Sequence, residues 1–285
     1  VATLPEPLLV PLSGKDPGWS PSSYRFLLSR DLVFTPLSFA LYFVLAKFSE
    51  LPVATAHDAQ APAPVLVLQG SLLAVALAVL IQNFIMTPPE PSDAVMVGVM
   101  SYSGRWIFLT RQTLALQAVH LSLSLAAGFS GSARLLQLTE GIAVFIGALG
   151  WFVTIQFFTL VFPNPDFKER CKILAARDPP VNLKLRGSLN HAPAIMLAIL
   201  DIAVAKGHDA LQFTCSLSKS LELTAIYTLF YFSLLGVNYH ATGYFPYPFM
   251  RGFTFAKWVA FFFTQCSIVA VFCVLNWGVS LLPAF

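Results

Sequence analysis

An Asn-His pair at the mouth of an apolar run raises the question of chemistry in this chain; Thr110 and His240 stand beside other apolar runs, and nothing in the residues alone singles Thr110 out. Thr110 closes "GRWIFLT" at the head of an apolar run, Asn190 and His191 stand in "SLNHAPAIMLAIL", and His240 precedes "ATGYFPYPF". A hydroxyl becomes a nucleophile when a base within hydrogen-bond reach takes its proton and a third group orients that base. The same residue types also have quieter uses. A membrane threonine often bonds the carbonyl one turn back, and an Asn-His pair at a helix start can bond loop carbonyls and a neighbouring helix. His240 lies at the end of an apolar segment, where solvent reaches it. Residue types alone leave both readings open.

The elements that must position these groups are membrane helices. The 285 residues are 56% hydrophobic and 11% charged, with mean hydropathy +0.71, against about 25% charged in soluble domains. Apolar windows of about 20 residues, enough to cross a hydrocarbon core, recur along the chain. The fold expected is all-α, a polytopic membrane helix bundle. Six spans are predicted at 64–86, 105–128, 138–162, 188–205, 221–240 and 254–282, with an extra N-terminal one at 31–48 that is short and kinked by Pro36. Residues 1–30 read as a proline-rich extended arm, 31–60 as the extra membrane segment and its loop, and 61–285 as the multipass domain.

Charge sets the topology. The connection 163–187 carries Lys168, Arg170, Lys172, Arg177, Lys184 and Arg186, which places it on the cytosolic or matrix side. Seven spans put Lys15, Arg25, Arg30, Arg251 and Lys257 on that side as well. A net charge of +3 spread between apolar runs is no nucleic-acid footprint.

Inside the spans, each ionisable residue needs a partner or an interface. Arg111 is expected to snorkel from near a span's start. His120 is expected to be a neutral imidazole bonded to a neighbouring helix. Glu140 is expected to cap a helix start. Asp201, ten residues after His191, cannot pair with it locally and is expected to meet Lys206 or a basic residue of another segment. Cys171, Cys215, Cys266 and Cys273 show no metal-type spacing, so no metal and no cofactor is expected, only bound lipids.

Three stretches in order resemble a known family. "GRWIFLT", "SLNHA" at 188–192, and "LTAIYT" at 223–228 followed by "HATGYFPYPF" are similar to the signatures of the androgen-induced-gene family, which includes the androgen-dependent TFPI-regulating protein. Its members are multipass membrane threonine hydrolases of fatty acid esters of hydroxy fatty acids. The resemblance covers about 64–283 and implies that Thr110 matches the family's threonine. It also implies that the family's base, the second histidine of Asn-His-x-x-His, falls on Ala194.

The implied dyad is therefore broken. His191 precedes position 194 by about 4.5 Å along a helix axis, and about 1 Å of misplacement can cost a hundredfold in rate. The function expected is that of a non-catalytic multipass membrane protein, an accessory or scaffold subunit of a larger membrane complex. Asn190, His191 and Ala194 would be the structural remnant of a former site. The alternative is a lipid-ester hydrolase using Thr110 with His191 or His240. A transporter is disfavoured, since paired broken helices with midplane charges are weak here. Partners expected are membrane lipids and other membrane subunits, not nucleic acid. A start at Val1 fits a removed leader and points first to the mitochondrial inner membrane, whereas the family points to the endoplasmic reticulum.

Overall fold

The computed structural model describes residues 33, 36–37, 40–47, 61–85, 100, 102–176, 180, 182–206, 216–250 and 252–281. The arm 1–30 lies outside the described residues. So does part of the expected span 31–48, of which 33, 36–37 and 40–47 are described and helical. Among the described residues there is no strand, and six helices are long and apolar enough to cross a membrane.

These are α1 (Ala63–Ile85), α2 (Leu109–Ser130), α3 (Ala133–Gln156), α5 (Leu183–Leu200), α6 (Leu217–Thr242) and α7 (Phe255–Ser280), with the shorter α4 (Pro165–Ala175) between α3 and α5. A π-helical turn extends α3 through Phe157–Val161, and another extends α5 through Asp201–Ala205.

Local chemistry explains the boundaries. Gly131 takes the left-handed conformation that ends α2 (φ 63°), and Ser132 follows at once as the cap of α3, its hydroxyl accepting from the Leu135 N–H. This break moves the start of α3 five residues ahead of the expected 138. Glu140 therefore lies about two turns inside the helix and does not cap it. Asn182 likewise starts α5 at Leu183, its side-chain oxygen accepting from Leu185 N–H at 3.0 Å. The Asn190-His191 pair accordingly stands two turns inside α5 and not at its start. Pro193 sits within α5; lacking an N–H, it leaves the Leu189 carbonyl without its usual helical donor.

Helix α3 is the centre of the bundle and touches α2, α5, α6 and α7. Without a hydrophobic drive between helices in lipid, close approach depends on small residues and on buried polar bonds. At Gly150 the backbone of α5 comes so near that an added Cβ would collide with the Ala194 carbonyl. At Gly147 it would collide with Asn276 of α7, whose side-chain amide donates to the Val144 carbonyl at 3.0 Å.

Gly150→Ala should therefore lower stability by about 1–3 kcal/mol, the usual cost of overpacking, read as a lower thermal midpoint in detergent. Gly236→Ala in α6, where nothing lies within 4 Å of the added carbon, should leave the midpoint unchanged or raise it.

Candidate active site

The site begins with the turn that carries Thr110. Gly104 at φ 59° opens a single 3-10 turn, Gly104–Ile107, and Phe108 is extended (φ −85°, ψ 121°), so α2 starts at Leu109. The exposed donors and acceptors of this turn are met by tyrosines from α6 and from the loop after it. Tyr231 donates to the Ile107 carbonyl at 3.0 Å. A carbonyl can only accept, so the Tyr231 oxygen in turn accepts from Tyr247, 3.0 Å away. Tyr247 itself accepts the Leu109 N–H at 3.3 Å, and burial pushes its phenol above the usual tyrosine range. Tyr227 donates to Gln112 Oε1 at 2.9 Å, while Gln112 Nε2 donates to the Trp106 carbonyl at 2.6 Å.

The break at Phe108 decides the state of Thr110. The carbonyls three and four residues back, Ile107 and Trp106, to which a helical threonine would bond, lie before that extended residue and outside the helix, and accept from Tyr231 and Gln112 instead. Thr139, Thr159, Thr224 and Thr264 all bond back in that way. The Thr110 hydroxyl does not, and among the described residues it has no hydrogen bond.

His191 is fixed from two sides. Its ring stacks on Phe157, the first residue of the π turn after α3, with centroids 3.8 Å apart and planes 9° from parallel. Its Nδ1 lies 2.7 Å from the Gly187 carbonyl. That bond requires Nδ1 to carry the proton, so in the neutral ring Nε2 holds the lone pair. The Thr154 hydroxyl donates to the His191 carbonyl at 2.7 Å and ties this part of α5 to α3.

Thr110 and His191 line one pocket. Its cavity volume is about 90 Å³, smaller than the roughly 300–1,000 Å³ usual for ligand sites. The walls are mostly apolar, from Leu149, Phe152, Phe232, Leu235, Phe261 and others, with polar tips from Gln156, Tyr227, Tyr231, Tyr247 and Gln265. Leu160 is part of the wall and is 38% exposed, so the pocket reaches the outer face of the bundle.

Other expected residues go elsewhere. Ala194 is wholly buried, is not part of the pocket wall, and has its carbonyl held by Gln117 Nε2 of α2 at 2.9 Å. Asn190 does not line the pocket, and its Oδ1 has no partner among the described residues. His240 is exposed in the last turn of α6. It lies five residues beyond Leu235, hence about 140° around the helix from the pocket-facing row. Arg111 is in the first turn of α2 but buried, so it does not snorkel into water. His120 bonds Asp201 Oδ2 across helices at 3.0 Å, and Lys206 Nζ is 3.9 Å from the same oxygen. Among the described residues no cluster of His, Cys, Asp or Glu is placed to hold a metal ion.

Sequence reasoning missed the three tyrosines, Gln112 and Phe157. The spacing of Tyr227 and Tyr231, one helical turn apart in an apolar span, was the available signal: two hydroxyls there need partners. Nothing in the sequence says that their partners surround Thr110.

The family model that matches the chain is that of the FAR-17a/AIG1-like protein, over residues 70–280. The chain belongs to this family. The matched region holds the whole pocket, including Thr110 and His191, and excludes the helical residues 40–47. No curated protein and no solved structure matches the chain.

Ala194→His, which puts an imidazole at the position where the resemblance implies the base, should destabilise the bundle by about 1–3 kcal/mol without placing that imidazole in the pocket. A lowered thermal midpoint with no gain in ester hydrolysis is the expected result. Tyr231→Phe should leave the Ile107 carbonyl without its donor, at about 1–3 kcal/mol for a buried group, again read by thermal unfolding.

Proposed function

We propose that the chain is a non-catalytic member of its family that holds a lipid chain in the Thr110–His191 pocket and serves as an accessory subunit of a larger membrane assembly, first to be sought in the mitochondrial inner membrane. The observation that carries this reading is the state of position 194. The residue that the resemblance aligns with the family's base is an alanine with no exposed surface, packed at a close approach of α3 and α5 and outside the pocket wall. The mostly apolar wall and the reach to the bundle's outer face through Leu160 support entry of an acyl chain from the bilayer. The outward-facing Phe255, Phe263 and Val271 of α7 suit a lipid or a partner helix.

Purification of the full chain from its own membrane in mild detergent tests this. The expected result is a stoichiometric assembly, a co-purifying lipid by native mass spectrometry, and no covalent labelling of Thr110 by a fluorophosphonate probe.

One observation favours a second reading, a lipid-ester hydrolase. Thr110 has lost its helical acceptors, and His191 presents Nε2 as a base in the same pocket. In that reaction the Thr110 hydroxyl attacks the ester carbonyl and its proton passes to His191 Nε2. The alcohol leaves with that proton, and water then hydrolyses the acyl-threonine. Labelling that disappears in both Thr110→Ala and His191→Ala would establish this reading and overturn the first.

A further inference from the structure

A second buried polar system lies at the other end of the bundle, apart from the Thr110 pocket. Asp201 opens the π turn of α5, whose i to i+5 bond, Lys206 N–H to the Asp201 carbonyl at 3.0 Å, is what defines it. In an α-helix a side chain five residues on points about 140° away; the wider turn brings Lys206 round, so that Nζ lies 3.9 Å from Asp201 Oδ2 and donates to Ser124 of α2 at 3.0 Å. The same Oδ2 accepts His120 Nε2–H at 3.0 Å. With the proton on Nε2, Nδ1 of the neutral ring accepts from the Tyr42 hydroxyl, 3.0 Å away.

The other oxygen of this carboxylate is unmet. Asp201 Oδ1 and Gln117 Oε1 are both buried and, among the described residues, neither has a hydrogen-bond partner. Asp201 and Gln117 line one small cavity between α2, α3 and α5, with Ala143, Gly147 and Ala198 on its walls. It has room for about one water-sized guest. A buried acceptor left without a donor is costly, and a charged one more so.

We propose that this cavity binds a single water molecule that donates one hydrogen to Asp201 Oδ1 and the other to Gln117 Oε1. Charge selects the class of guest. Lys206 already balances Asp201, so a metal cation would leave a costly net positive charge inside the bundle. A neutral molecule with two donors meets both oxygens without that cost. The bound water completes a hydrogen-bonded chain from Tyr42, which precedes the family region, through His120 and Asp201 to Gln117 and the Ala194 carbonyl.

A structure of the full chain crystallised from lipid, at a resolution that shows ordered water, tests the proposal. The expected result is one peak within about 2.7–3.2 Å of both oxygens. Three results would overturn it: a cavity without density, a protein group bonded to Oδ1, or a guest at metal-ligand distances of about 2.4 Å. Crystals grown in sodium and in choline salts should show the same peak; its loss in choline would assign it to the ion and reject the water.

Discussion

Three polar bonds between α2 and α5 hold the rest of the structure in register. Gln117 donates to the Ala194 carbonyl, His120 to the Asp201 carboxylate, and Lys206 to Ser124. The two helices run parallel, since they are separated by one crossing of the bilayer by α3, and the rungs ascend together along both. Hydrocarbon supplies no competing donors or acceptors, so breaking any rung strands a buried polar group. Gly150 makes the first rung possible, because only a residue without a Cβ lets α5 approach α3 so closely. Pro193 lies beside that contact, and side chains of two neighbouring helices bond the carbonyls of His191 and Ala194 on either side of it.

This ladder fixes the rotation of α5, and with it which residue faces which cavity. Asp201 is seven residues beyond Ala194, nearly on the same line of the helix, whereas His191 is set about 60° to one side. Turning position 194 toward α2 and Gly150 therefore turns Asp201 toward His120 and leaves His191 on the wall of the Thr110 pocket. Helix geometry divides the stretch 190–194: Asn190 and Ala194 stay off the pocket wall, and His191 lines it.

The bundle was legible because its causes are local. Long apolar runs mark the helices, and the expected spans fall within about five residues of those found. Where they differ, a short capping signal outweighed hydropathy, as Gly131-Ser132 and Asn182 illustrate. The cross-helix part was less legible. That His120 would meet a neighbouring helix follows from the cost of a lone imidazole in lipid, and Asp201 was expected beside Lys206. That the three would meet, helped by a π turn, depends on rotations that one sequence does not encode visibly. The same holds for Thr110. The extended Phe108 leaves it without helical acceptors, and its surroundings come from Tyr231 and Tyr247, more than a hundred residues away.

A hydroxyl released in this way does not by itself distinguish binding from catalysis. Donating its proton to a lipid carbonyl oxygen, Thr110 would hold an ester or acid in place; giving that proton to a base, it would attack the same carbonyl carbon. The two uses compete for one hydrogen. Which prevails depends on whether Nε2 of His191 can reach the hydroxyl while a lipid fills the space between the walls. The Phe157 stack ties the ring to the end of α3 and the Nδ1 bond to Gly187 ties it to α5, so a rotation of α5 or a shift of the Thr110 turn would change its distance from the hydroxyl. The three rungs resist the first motion and the tyrosine bonds resist the second. Thr110 and His191 are thus each anchored to a different rigid element of the bundle.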